Sequence, residues 1–233
     1  MALPGPGEAN LLVPGRPGPA IIAHGGGNSA RRVDEYLAAS ADFLEVDLWL
    51  HAGRLEARHE RRIKFTPILF EKWYLRRAPR PHFGLEELLA ASSGSPAGIF
   101  LDLKNGGAAT VAALDRALTR LAARPRIVAS SQQWATLRAL SVHLPEVKTF
   151  YSVDVPAKLD LFRSVTDRDG RPAGVSCRHS LLTRPLVREL IDRGLVVVAW
   201  TVDDPARARE LVEWGVHGIT THRVAEMRTE FGG

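Results

Sequence analysis

From residue 20 onward, short runs of consecutive apolar residues alternate with stretches whose apolar residues recur every three or four positions. PAIIAHGG, DFLEVDLWL, GIFLDLK, RIVASS, VKTFYSV, AGVSCR, LVVVAWTV and HGITTH are the runs, and each reads as a strand. SARRVDEYLAAS, GLEELLAA, AATVAALDRALTRLAA, QWATLRALSVH, SLLTRPLVRELIDRG and DPARARELVEWG carry the helical spacing, the first capped by Asn28 or Ser29. RLEARHE, beyond a turn at His51-Ala52-Gly53, reads as a short return along the second strand. Eight strands rich in Val, Ile and Leu, each followed by helix or loop, suit parallel strands covered on both faces. The predicted architecture is a single (β/α)8 TIM barrel over residues 20–233, preceded by a flexible, proline- and glycine-rich segment at 1–19. A doubly wound open sheet is the runner-up, but nothing matches a GxGxxG fingerprint, and GGGNS lacks the lysine of a phosphate-binding loop.

Polar residues that interrupt these strands carry the chemistry. Side chains alternate faces along DFLEVDLWL, so Phe43, Glu45, Asp47 and Trp49 share one face and Leu44, Val46 and Leu48 the other. In GIFLDLK, Asp102 and Lys104 stand together opposite Ile99, Leu101 and Leu103. Carboxylates two residues apart on a buried face repel each other and pay a desolvation cost unless a cation sits between them. One such strand is equally well an internal ion pair; two, with acids toward the C-terminal ends where barrel active sites form, favour a site. Glu45, Asp47 and Asp102 offer hard oxygen ligands for one divalent cation, Mg2+ or Ca2+ rather than zinc, and Lys104 would meet an anion bridging to it. His24 ends the first strand and His59 follows the second, so both can open onto that mouth as an acid and base pair.

Composition narrows the partners. The chain has 233 residues, 45% of them apolar, enough for a sizeable core. A formal charge of +5, with 31 basic against 26 acidic residues, favours anionic ligands weakly. No zinc spacing, RNP stretch or basic aromatic stripe points to nucleic acid. The single cysteine, Cys177, excludes an intramolecular disulfide. The start lacks a charged stretch followed by a long apolar core, and no apolar run reaches about 18 residues. A cytoplasmic protein without a membrane segment is therefore expected, its oligomeric state open.

The motifs and their order resemble the glycerophosphodiester phosphodiesterase family. Its opening His-Arg is similar to His24-Gly25, its Glu-x-Asp to Glu45-Val46-Asp47, its later His-Asp to His59-Glu60, and its Glu-x-Lys to Asp102-Leu103-Lys104. AWTVDDPARARELVEWGVHGITT resembles the family's Trp-Thr-Val-Asn segment and its closing Gly-Ile-x-Thr. The resemblance implies a (β/α)8 barrel that cleaves a small phosphodiester with a divalent metal on Glu45, Asp47 and Asp102, and with His24 and His59 as catalytic residues. It also implies departures: Gly25 replaces an arginine that grips phosphate, and His222 stands where aspartate is usual. Lys104 is the first substitute for that grip, with Arg178, Arg61 and Arg62 behind it, while Trp200 could stack on the substrate. Asp-x-Lys and the absent arginine are also similar to the sphingomyelinase D-like phospholipases, whose lipid-like leaving groups could meet Ile68, Leu69, Phe70, Trp73 and Tyr74 in the loop after His59. A non-catalytic phosphate-binding barrel is the third alternative, disfavoured because both histidines and all three acids are present.

Overall fold

The apolar runs become strands of a closed barrel. The computed structural model describes residues 12–232 apart from positions 16, 64, 65, 80, 81, 122, 123, 169 and 170. Its strands are β1 (Ala20–Ala23), β2 (Phe43–His51), β3 (Arg54–Ala57), β4 (Arg61–Arg62), β5 (Ile68–Glu71), β6 (Tyr74–Arg77), β7 (Gly98–Leu103), β8 (Ile127–Ser131), β9 (Lys148–Val153), β10 (Gly174–Arg178), β11 (Val196–Trp200) and β12 (Gly218–Thr221). The helices are α1 (Ala30–Ala38), α2 (Leu85–Ala91), α3 (Ala108–Thr119), α4 (Trp134–His143), α5 (Pro156–Arg168), α6 (Arg184–Asp192), α7 (Pro205–Glu213) and α8 (Val224–Phe231).

β1, β2 and β7 to β12 pair in parallel, and β1 bonds both β2 and β12. That closure rules out the open doubly wound sheet and makes the protein a single (β/α)8 barrel. β3 returns antiparallel to β2, with Trp49 opposite Glu56, as RLEARHE suggested.

Two apolar layers hold the barrel. Between strands and helices lie residues such as Leu44, Val46, Leu101, Leu137, Val197 and Leu211. Inside, at the N-terminal end, Phe43, Phe100 and Phe150 meet edge to face, with ring centroids 6.5 and 5.8 Å apart. Burying each ring contributes about 1.5–3 kcal/mol. Leu12 and Val13 are buried in the same inner layer, and Arg126 donates to the Leu12 carbonyl. The packed body thus includes residues upstream of Ala20, while residues 1–11 lie outside the described residues.

Ser29 is the cap of α1, its hydroxyl accepting from the Arg32 amide. Two helices and a small sheet go beyond the pattern reading. α5 buries only Phe162 and Thr166, and α8 only Val224 and Met227, stripes too sparse to read as helical faces. β4, β5 and β6 form a separate antiparallel sheet in the segment after His59, which the pattern does not predict because Ile68-Leu69-Phe70 lacks polar alternation.

Candidate active site

AIIA runs buried through the barrel wall and delivers His24 to its C-terminal rim. The glycines that follow fold the chain back against β2. The Gly25 amide donates to Glu45 Oε2 at 2.6 Å, and the Gly27 amide to the Glu45 carbonyl at 2.8 Å. A Cβ on Gly27 would meet Val46 Cβ at 2.7 Å and Leu88 Cδ2 at 2.9 Å, so only glycine allows this approach. Gly25 adopts the left-handed φ of +61°, and the Arg32 guanidinium occupies the space a side chain would need, Nη1 lying 2.6 Å from a notional Cβ. Arg32 Nη1 donates to the Gly25 carbonyl at 3.2 Å. Arg32 thus stands beside the position whose missing arginine was the main departure, and the sequence alone did not single it out.

Glu45 and Asp47 project inward from β2, and parallel register sets Asp47 beside Asp102 of β7. Oxygens of the three carboxylates lie within 4.8 Å of one another. Lys104 Nζ binds Asp47 Oδ1 at 2.6 Å and Asp102 Oδ2 at 2.5 Å. Asn28, weighed from the sequence only as a helix cap, donates its amide to Asp47 Oδ2 at 2.7 Å and accepts from the Asp47 amide at 3.0 Å. The Lys104 ammonium thus bonds two of the three carboxylates and lies in the field of the third. Burial, then the charges of Asp47 and Asp102, push the Glu45 carboxyl well above its ordinary range. Burial also raises Asp102. Asp47 goes the other way: against a burial cost, Lys104 and the Asn28 amide hold it low. Lys104 is raised because Asp102, Asp47 and Glu45 outweigh its burial.

His24 Nδ1 lies 2.9 Å from Thr201 Oγ1, and its ring stacks on His222. Burial first, then the neighbouring His222, lower its pKa from 6.5 to about 4. His59 lines the same cavity, its side chain 53% exposed, with Nδ1 3.0 Å from Glu71 Oε1. Its neighbour Glu60, matched in the resemblance to an aspartate, turns away to bind Arg76 and Tyr74.

A cavity of about 260 Å³ gathers His24, Glu45, His59, Asp102, Lys104 and Trp200 at the C-terminal ends of the strands. Its walls also carry Ser130, Ser152, Ser176 and Thr220, hydroxyls that the sequence reading passed over. Inward parity in RIVASS, TFYSV, GVSCR and GITT could have found them. Arg178 pairs in register with Trp200 at the rim and is exposed, outside the cavity lining. Arg62 is held by Glu56 at 3.0 Å, and Arg61 faces away on the small sheet.

The glycerophosphoryl diester phosphodiesterase family model matches residues 98–226, more than half of the chain. The chain belongs to that family. Its members are phosphoric diester hydrolases that generally bind a divalent metal, and the Glu45, Asp47 and Asp102 cluster could hold one. The fold is that of solved phosphodiesterases. A Silicibacter pomeroyi protein assigned to the glycerophosphoryl diester phosphodiesterases is 22% identical, with a TM-score of 0.75 over 93% of this chain and 94% of that one. An Oleispira antarctica phosphodiesterase, solved with its product sn-glycerol-3-phosphate, is 16% identical, with a TM-score of 0.73 over 91% and 96%. A Parabacteroides distasonis glycerophosphodiester phosphodiesterase is 20% identical, with a TM-score of 0.70 over 91% and 96%. No curated protein matches the chain significantly. Among the described residues no helix is long and apolar enough to cross a membrane.

Proposed function

We propose that this chain hydrolyses a glycerophosphodiester to glycerol phosphate and an alcohol, with one divalent cation, Mg2+ or Ca2+, held by Glu45, Asp47 and Asp102. The observation that carries the reading is the convergence of Glu45, Asp102, Lys104 and two histidines on one cavity, with Asp47 in the same carboxylate cluster, in a chain of this family. The donor set fits the cation: all three ligands are hard oxygens, and Glu45 and Asp102 hold raised pKa values that a second positive charge would relieve. When bound, the cation polarises the phosphoryl oxygens.

The remaining work falls to the chain's own groups. Lys104, anchored between Asp47 and Asp102, sets a fixed positive charge against the phosphate. His24 is the general base. Its low pKa keeps it unprotonated at neutral pH, and an Nδ1–H donated to Thr201 Oγ1 leaves the Nε2 lone pair for the attacking hydroxyl. His59, braced through Nδ1 by Glu71, is the general acid for the leaving oxygen. Trp200 and Arg178 flank the substrate at the rim. The product bound by the Oleispira phosphodiesterase is the product expected here.

Phosphorus NMR on glycerophosphocholine, with and without EDTA, tests this. Glycerol phosphate should appear with the wild type and Mg2+ or Ca2+, and fail to appear with EDTA or in His24→Ala and Glu45→Ala. Full activity in either variant, or metal-independent turnover, overturns the assignment; a cyclic phosphate product replaces hydrolysis by internal attack of the glycerol hydroxyl.

A further inference from the structure

The sheet formed by β4, β5 and β6 is amphipathic in the reverse of the usual sense. Register places Arg62 opposite Leu69, Leu69 opposite Arg76, and Glu71 opposite Tyr74, so these side chains share one face. That face turns to the barrel: Leu69 is fully buried, Arg62 binds Glu56, Arg76 binds Glu60, and Tyr74 bridges Glu60 and Glu71. The other face carries Arg61 opposite Phe70, Phe70 opposite Leu75, and Ile68 opposite Arg77. At the tip, Trp73 is 83% exposed, and Leu75 beside it is 68% exposed. Paired charges thus face the protein while aromatic and aliphatic groups face out, and a patch of that kind marks an interaction site.

Charge selects the partner. Arg61, Lys72 and Arg77 border the patch and make no ion pair among the described residues, and Lys72 lies over the Trp73 ring at 4.9 Å. Glu71, the acid of these strands, belongs to the opposite face and is engaged by His59 and Tyr74. An exposed indole and leucine bordered by unpaired cations suit an anionic lipid surface, where indoles settle at headgroup level and Lys and Arg meet lipid phosphates.

We propose that the β4–β6 sheet docks the barrel onto an anionic phospholipid surface, Trp73, Leu75 and Ile68 entering the headgroup layer and Arg61, Lys72 and Arg77 meeting the phosphates. The Glu71 contact to His59 ties the docking sheet to the rim of the catalytic cavity. Docking is a binding property, independent of the catalytic reading, and is measured without turnover.

The full chain is sedimented with vesicles of phosphatidylcholine alone or mixed with phosphatidylglycerol. Binding should be about tenfold stronger to the anionic vesicles and weaken with salt. Trp73→Ser with Leu75→Ser, and separately Arg61→Glu with Arg77→Glu, should each reduce it about tenfold while circular-dichroism melting stays unchanged. Tryptophan emission should shift blue on vesicle addition in the wild type and not in Trp73→Phe. Absent binding, or equal binding to both vesicles in wild type and variants, overturns the proposal. So does an oligomer that Trp73→Ser dissociates without any vesicle binding, which would make the face a protein interface.

Discussion

The imidazoles of His24 and His222 stack with ring centroids 4.5 Å apart and planes 29° from parallel. Asp203 fixes His222 in that position, its carboxylate meeting Nδ1 at 2.8 Å and accepting from the His222 amide at 2.8 Å. Burial and this neighbour together hold His24 at about 4, so it is the free base at neutral pH.

A pH–rate profile follows from that stack. As pH falls through about 4, His24 takes up a proton and kcat/KM should fall with it. His222→Ala removes the neighbour that, after burial, lowers His24, and admits water, and both effects raise the His24 pKa. The acid limb of kcat/KM should move up toward the ordinary imidazole value in the variant; an unmoved limb would contradict His24 as the base.

Glu45 makes the metal-free protein sensitive to rising pH. Its carboxyl is raised by burial and by Asp47 and Asp102, so above the ordinary carboxylate range the folded chain binds more protons than the unfolded one. Stability then falls as pH rises through that window. Glu45→Gln should melt higher than the wild type at neutral pH without metal, by about 2–4 °C per kcal/mol recovered, and the gain should shrink as pH falls toward the ordinary range. Added Mg2+ or Ca2+ should raise the wild-type melting temperature and leave that of the variant nearly unchanged. Calorimetric melts across pH check both arms.

Asn28 orients Asp47 without being a ligand in the proposed set. It holds Oδ2 from one side and the Asp47 amide from the other. Asn28→Ala should weaken divalent-cation affinity by about 10–100-fold, read by titration calorimetry, with the fold retained. An unchanged affinity would place the Asn28 clamp outside the metal site.

Gly27→Val tests the close approach of the glycine loop to β2. The new side chain would drive into Val46 and Leu88 and lift the Gly25 amide from Glu45. We expect a loss of about 1–3 kcal/mol in denaturant unfolding, as for other overpacked positions, with a fall in kcat. Wild-type stability in this variant would show that the loop has room to move.

The alternation in DFLEVDLWL and GIFLDLK was enough to put Glu45, Asp47, Asp102 and Lys104 on one face, because side chains of an extended chain alternate whatever surrounds them. His24 and His59 were legible for a similar reason, each standing just beyond an apolar run or its return. The helices that went unread, α5 and α8, owe their form more to the barrel surface than to their own spacing, each burying only two residues. In the small sheet, strands of two and four residues leave too little periodicity to read.

What a side chain meets is another matter. Asn28 reads as a cap and is the clamp on Asp47; Glu60 reads as the match to the family's motif aspartate and is an anchor for Arg76. Thr201 reaches His24 across 177 positions of sequence, and the His222 stack depends on β12 closing against β1. By itself the sequence determined the barrel strands, the inward acids, Lys104 and the positions of the two histidines, because local chain geometry and hydrophobic period require no distant partner. Only the tertiary structure decided the partners of His24, the filling of the Gly25 space by Arg32, and the outward apolar face of β4–β6, because barrel closure brings together groups whose spacing along the chain carries no trace of their contact.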